Sequence, residues 1–450
     1  MRHICMVARL ALALLVTASA CAAADSSLRR HGLAGFAYRA VTEEDVSKLH
    51  LPGRKGVVVR VVLPGGSAEK AGLMPGDVIR ECGADSVADV SGFETLWRRH
   101  YAGDRVRLSV LRAGAARQFE VALEPYTEET GEGLDVEYTS FVSSGVRLRA
   151  VIVSPSQSHT KKPPALLMVS ALNSPVLATV PQYDMFRDLA HAAARKGFRV
   201  LRFQLRGSGD SEGDDFRTTD FSTETADNLA AFDYLAARPD VDSSRVFVYG
   251  HSTGGMVAAT VVNRRRAAGV ILSSTIGRTY YERMAQTLRL QSELAGEQPA
   301  DIDSKIDDYL DLSLSLVRGE ALADILKRNP GTRKLVNSSG RIMDDRTPDY
   351  WRQMLGINLA ALYGSITWPV LVIRGDSDFL TQRACHEHIR DVLVTAGNKD
   401  VELALIPGLD HHYAAARDFK ESFANYKTGA FRKDPAAEER ILDWLSRNAD

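Results

Sequence analysis

The chain has 450 residues, 45% hydrophobic and 25% charged, with a net charge of −1. This composition belongs to a folded protein long enough for two or three domains and excludes a largely disordered one. Charge so near balance, with a pI near 6.8, leaves no electrostatic footprint for a nucleic-acid or anionic-membrane partner. The one dense basic run, Arg264-Arg265-Arg266, reads as a solvated helix end.

Arg2 and Arg9 precede an apolar run from Leu10 to Val16 and the small residues Thr17 to Ala24. That order is the layout of an export signal over residues 1–24, and its apolar run is far short of the roughly twenty residues a bilayer requires. Two cleavages fit the same residues. Ala18-Ser19-Ala20 before Cys21 resembles a lipoprotein signal, in which Cys21 is lipidated and is the only membrane attachment. Small-x-small cleavage near Ala20 or Ala24 is the other. The expected location is therefore the periplasm, or the outer membrane through a lipid. Cys82 and Cys385 remain in separate parts of the chain, so no disulfide framework is expected. His386, His388, His411 and His412 lack metal-ligand spacing, and neither a metal nor an organic cofactor is expected.

Gly56 to Val62 reads as a strand, and Ser67 to Ile79 as a short helix, a turn and a second strand. With Ala71-Gly72-Leu73-Met74-Pro75-Gly76-Asp77 at the turn and closing strands at Arg105–Arg112 and Arg117–Leu123, this part resembles a bacterial PDZ domain over residues 33–125. The resemblance implies a loop, Leu33-Ala34-Gly35-Phe36, that captures a peptide C-terminus, with a facing helix near Phe93 to His100. A PDZ fold kept for packing, without ligand, fits the same residues. Residues 126–134, acidic and containing Gly131 and Gly133, read as a linker.

A second domain is expected over residues 135–450. Asp135–Phe141 and Val146–Val153 alternate as a hairpin about Ser144-Gly145. The apolar run Ala165–Val169 has the character of a strand buried on both faces. A helix near Met185–Lys196, a strand at Arg199–Phe203, a helix near Thr223–Ala236, a strand at Val246–Tyr249, a helix from Gly255 and a strand at Gly269–Ser273 follow. Alternating strands and helices imply an α/β fold, a mostly parallel doubly wound sheet with the site beyond the strands' carboxyl ends. Residues 276–367 interrupt the rhythm with helical sequence and read as a cap. Pro369–Ile373 then resumes the sheet.

Gly250-His251-Ser252-Thr253-Gly254 lies between a strand and a helix. Such a turn is strained, needs small neighbours and lifts the serine hydroxyl clear of the sheet. Arg374-Gly375-Asp376-Ser377-Asp378 follows the resumed strand, and Pro407-Gly408-Leu409-Asp410-His411-His412 follows Val401–Ile406. These three segments, in this order, resemble the α/β-hydrolase family. The resemblance implies Ser252 as nucleophile, Asp378 as the acid and His411 as the base, with Asp376 and His412 as neighbours able to replace them. It also implies an oxyanion hole made by the backbone N–H of Thr253 and a second N–H after Ala165–Val169. This chain has Ser170-Ala171-Leu172-Asn173 there in place of the family's His-Gly, which points to Leu172. Arg206-Gly207-Ser208-Gly209-Asp210-Ser211 is similar to the family's structural turn. Tyr280, Tyr281, Tyr350 and Trp351 are candidates to line an acyl pocket, or core residues.

The expected activity is an exported serine hydrolase acting on a small ester or amide, carboxylesters first, beside a PDZ domain that binds a peptide C-terminus. A serine peptidase or aminopeptidase of the same fold, and a PDZ scaffold with an inert hydrolase domain, are the alternatives.

Overall fold

The computed structural model describes residues 28–157, 160–170, 184–337 and 339–450. The expected export signal with Cys21, and Leu172 of the expected oxyanion pair, lie outside the described residues. Among the described residues no helix is long and apolar enough to cross a membrane.

The first sheet is antiparallel. Strands β1 (Phe36–Ala40), β2 (Val57–Val62), β3 (Val78–Cys82), β4 (Arg105–Arg112) and β5 (Ala115–Ala122) lie in that order. Helix α1 (Val90–Trp97) starts where the Asp89 carboxylate accepts the Gly92 N–H, a side-chain cap of the usual kind. It packs on the sheet through Phe93, which is fully buried with Val57, Ile79 and Leu108. Arg112 holds Asp77 by two hydrogen bonds of 2.6 and 2.7 Å. That pair ties β4 to the turn of the Pro-Gly-Asp segment.

The second sheet holds β6 (Leu134–Ser143), β7 (Val146–Pro155), β8 (Ala165–Val169), β9 (Arg199–Phe203), β10 (Val246–His251), β11 (Gly269–Ser273), β12 (Val370–Gly375) and β13 (Val401–Ile406). Its order is β13-β12-β11-β10-β8-β9-β7-β6. The hairpin β6–β7 and the pair β7–β9 are antiparallel, and the remaining neighbours are parallel. Helices cover both faces, leaving one apolar layer on each. That is why β8, β10, β11 and β12 read as near-continuous apolar runs, with polar residues only at their carboxyl ends, instead of alternating. The helices between them are α2 (Met185–Arg195), α3 (Phe221–Ala236) and α4 (Gly254–Arg264).

Between β11 and β12 come α5 (Tyr280–Leu294), α6 (Pro299–Val317), α7 (Leu322–Arg328), α8 (Pro348–Leu355) and α9 (Leu359–Gly364). A Thr279–Glu282 capping box starts α5, and Pro299 occupies the first turn of α6; both are ordinary helix-start chemistry. Helices α10 (Arg383–Thr395), α11 (Phe419–Thr428) and α12 (Ala436–Ala449) complete the chain.

Residues 126–134, read from composition as a linker, are fastened down. Glu129 is 3% exposed and pairs with the buried Arg202 of β9, while its N–H donates to the Tyr138 hydroxyl at 2.8 Å. One acid of this run supplies the counter-charge for a buried arginine. Upstream, Arg30 and the His31 N–H both bond Asp210, each at 2.6 Å. Asp210 belongs to the Arg206–Ser211 turn, which is itself held by Arg206–Asp227 and by Ser211 Oγ on the Gln204 carbonyl.

Candidate active site

Ser252 follows β10 with φ +54, in the left-handed region that a non-glycine residue occupies only when its surroundings hold it there. The neighbouring glycines explain how the turn closes. A Cβ on Gly250 would lie 2.3 Å from the Gly254 carbonyl oxygen, and one on Gly254 would lie 2.6 Å from those of Val169 and Ser170. The backbone of Ser252 is tied at both ends: its N–H donates to the Ser273 carbonyl at 2.9 Å, and its carbonyl accepts the Thr275 hydroxyl at 2.6 Å. Thr253 stands at the N-cap of α4, where the helix dipole and free N–H groups favour a developing anion.

Asp378 lies in the loop after β12 and His411 in the loop after β13, and the structure brings them together. His411 Nδ1 is 2.8 Å from Asp378 Oδ2. The other Asp378 oxygen accepts the Leu380 and Thr381 N–H groups at 2.8 and 2.9 Å. Burial alone would raise this carboxyl. The charge and hydrogen bond of His411, the Arg374 guanidinium and the Thr381 hydroxyl outweigh it and hold Asp378 well below the ordinary carboxylate range. The imidazole is thereby held by its Nδ1 on the acid loop. It lies against the serine turn, with its ring centroid 4.7 Å from that of His251, the residue before Ser252.

The two neighbouring candidates have other positions. Asp376 accepts the Gly408 N–H at 2.7 Å, so it braces the histidine loop from outside. His412 packs on Tyr426 and Phe431, and burial with the nearby His411 lowers it to about 4. Asp410 shapes the same loop by accepting the His412 and Ala414 N–H groups at 2.8 and 2.9 Å, and burial pushes it up to about 6.

Several residues beneath the turn were not legible as site residues. His386, fully buried on α10, accepts the Thr275 N–H on Nε2 at 3.0 Å. Burial first, then the Arg374 charge, lowers it to about 4. Ser273 Oγ joins Tyr249, His251 Nδ1 and the Tyr413 hydroxyl at 3.0, 2.9 and 2.6 Å. Arg374 donates to the carbonyls of Asp378 and Thr381. Only His251 and Arg374 stand inside the motifs; Ser273, Thr275 and His386 carry no local signal. Of the aromatic candidates, Tyr280, Tyr350 and Trp351 are buried core residues at 3%, 0% and 0% exposure. Among the described residues no group of His, Cys, Asp and Glu side chains is arranged to hold a metal ion.

In the first sheet, the expected peptide loop is tied to the turn before the short helix at Ser67–Ala71. The Ala34 carbonyl accepts the Ala68 N–H, and that of Gly35 accepts the Leu63 N–H, both at 2.7 Å. Gly35 has φ +75, Leu33 pairs with Glu124, and Phe36 opens the edge strand β1. Across from β1, Phe93 and Trp97 of α1 meet Phe36 and Tyr38 at centroid distances of 4.8 to 6.2 Å. An edge strand beside a helix is the geometry that strand addition uses.

Residues 181–416 match the family described as serine aminopeptidase, S33, and residues 36–123 match the PDZ domain. Among curated proteins, the chain is similar to esterase EstD of Thermotoga maritima, 24% identical over 271 residues that are 60% of this chain and 57% of that protein. It is also similar to the quorum-quenching protein AidA of Acinetobacter baumannii, 38% identical over 77 residues, 17% of this chain and 25% of that protein. It therefore spans little more than half the length of the first and a quarter of the second. Among solved structures, a Pyrococcus furiosus esterase is 15% identical with a TM-score of 0.44, covering 72% of this chain and 98% of that one.

Proposed function

The chain belongs to the serine aminopeptidase S33 family, and from that premise we propose that it is a serine hydrolase of carboxylesters, with Ser252 as nucleophile, His411 as general base and acid, and Asp378 as the group that orients His411. The observation that carries this reading is the 2.8 Å bond between His411 and Asp378 beside the strained Ser252 turn.

A serine hydroxyl is a weak nucleophile at neutral pH. His411 takes its proton as Oγ attacks the acyl carbon, and Asp378 stabilises the imidazolium that results. The carbonyl oxygen becomes an oxyanion that accepts the Thr253 N–H and a second N–H from the loop after β8, with Leu172 the candidate donor. Each such donor is worth about 2.7–4 kcal/mol to the transition state. Collapse breaks the acyl–oxygen bond, and His411 returns the proton to the departing alcohol. Water then attacks the acyl-enzyme by the same route and frees the acid and Ser252.

The test is turnover of short-chain nitrophenyl esters and of peptide nitroanilides, with Ser252→Ala and fluorophosphonate labelling as controls. Serine-dependent ester turnover supports the proposal. No turnover and no labelling overturns it and leaves a PDZ scaffold. Preference for anilides supports a peptidase, the second reading, which the family's description favours. Peptide recognition at the Leu33–Phe36 loop, and export through residues 1–24, belong to the same proposal on the residues given above.

A further inference from the structure

Among the described residues, five arginines are buried: Arg149, Arg202, Arg283, Arg346 and Arg374. Three meet carboxylates, Arg149 with Glu128, Arg202 with Glu129 and Arg346 with Glu224. Arg374 donates to two backbone carbonyls. Arg283 is different. It is 6% exposed, its Nη1 reaches only the Met284 sulfur at 2.8 Å, and its guanidinium lies 5.3 Å from the Tyr280 ring centroid. Its Nε is buried with no hydrogen-bond partner. A thioether and an aromatic face do not replace the hydration of a guanidinium, and a buried cation without an anion is unfavourable.

Its position gives the orphaned donor a use. Arg283 is on α5, which leaves the carboxyl end of β11 just after the Thr275 contact with Ser252. One turn on, Thr287 Oγ1 donates to the Leu380 carbonyl at 2.8 Å, and the Leu380 N–H is bound to Asp378. Arg283 therefore stands in the part of the cap braced against the acid loop.

We propose that Arg283 is the specificity residue of the substrate pocket and that it binds a free carboxylate on the substrate, which is then a hemiester of a dicarboxylic acid or an ester with a carboxylate at comparable reach. This rests on the hydrolase reading above. Charge-assisted bonds from Nε–H and an Nη–H to one carboxylate would restore what burial removes. The same cation repels the ammonium group of an aminopeptidase substrate, so it favours the ester reading over that one.

The experiment compares mono-nitrophenyl glutarate with its neutral methyl ester on the full chain, on Arg283→Met and on Arg283→Lys. The wild type is expected to prefer the acid by about thirtyfold in kcat/KM, chiefly through KM. Arg283→Met should bring that ratio near unity, and Arg283→Lys should leave it between. An unchanged ratio with both substrates equally slowed would mean that the arginine only packs the cap, and overturns the proposal. Calorimetric titration of glutarate against glutaramide reads the same site without turnover. Binding of the dianion alone, lost in Arg283→Met, supports the carboxylate site even if neither ester is cleaved; no binding of glutarate to the wild type overturns it.

Discussion

The N–H of Thr275 donates to Nε2 of His386 at 3.0 Å, while the Thr275 hydroxyl donates to the carbonyl of Ser252. Nδ1 of His386 therefore carries the proton and gives it to the Gln382 carbonyl at 3.1 Å. A neutral imidazole of one tautomer is thus built in below the strained serine turn. Replacing it with phenylalanine strands a buried N–H, a loss of about 1–3 kcal/mol. His386→Phe is expected to unfold at lower denaturant and to lose kcat more than it raises KM, because the turn is misplaced while the pocket remains. His386→Gln, which offers an acceptor, should recover part of both. Steady-state kinetics and urea unfolding of the two variants check this.

The same histidine sets a pH dependence. Burial, with Arg374 next in weight, lowers it from 6.5 to about 4 in the folded chain. Between those values the unfolded chain holds more protons at this site, so the contribution to stability is complete above about pH 6.5 and is lost as pH falls toward 4. His412, lowered to about 4 by burial and His411, acts in the same direction. Asp410 and Glu224, both raised to about 6 by burial, act oppositely, since their contribution is lost as pH rises through 6. Urea unfolding at pH 7.5, 6, 5 and 4 should show a smaller loss on acidification for His386→Gln than for the wild type. Equal losses would assign the acid sensitivity to other groups.

For the proposed triad, Asp378→Asn keeps the size of the side chain and removes the charge that fixes the His411 tautomer. About a ten-thousandfold fall in kcat is expected. Ser252→Ala should abolish fluorophosphonate labelling and unfold no earlier than the wild type, because alanine at φ +54 keeps the backbone bonds to Ser273 and Thr275. Activity of Asp378→Asn within tenfold of the wild type would move the acid's role elsewhere.

Most of the second sheet was legible because strands buried on both faces read as near-continuous apolar runs, as Ala165–Val169 and residues 269–272 do. The loops bearing Ser252, Asp378 and His411 each follow a strand of this sheet, β10, β12 and β13, so chain order carried them. The resemblance pointed to Asp378 with Asp376 two residues away as its neighbour; what the spacing does not carry is that Asp378 meets His411 while Asp376 turns to the Gly408 N–H. His386 was out of reach for another reason. It sits on a helix with no motif, and its partner is a backbone N–H that leaves no trace in side-chain spacing. That the segment 126–134 is fastened down was out of reach as well, because exposed acids and acids that neutralise a buried arginine have the same composition; Glu129 and Arg202 are far apart in sequence.

Helix α1 packs on β1 through Phe93 and Trp97 and also faces the second sheet's domain. Glu94 accepts the Tyr38 hydroxyl at 3.4 Å and pairs with Arg217, which also holds Asp215 and lies 3.5 Å from Asp345 of the cap segment. Arg98 approaches Asp215 at 3.7 Å, and Arg341 reaches Ser91 at 3.5 Å. The Arg217 and Glu94 side chains are 12% and 24% exposed, so water screens this network less than it would a surface pair. Removing Arg217 leaves acids facing one another in a half-buried contact, and the cost is about 1–3 kcal/mol. Arg217→Ala is expected to speed amide exchange over Val90–Trp97 while the core strands β8 and β10 exchange as before. Glu94→Gln should do the same, and the double variant should add little, because both remove one interaction. Since α1 packs Phe93 and Trp97 on β1, a peptide that parts them from Phe36 and Tyr38 should loosen the same contacts, and added C-terminal peptide should then raise exchange in the Phe216–Thr218 segment. Exchange there that does not respond to Arg217→Ala would show that this network does not couple α1 to the second sheet's domain.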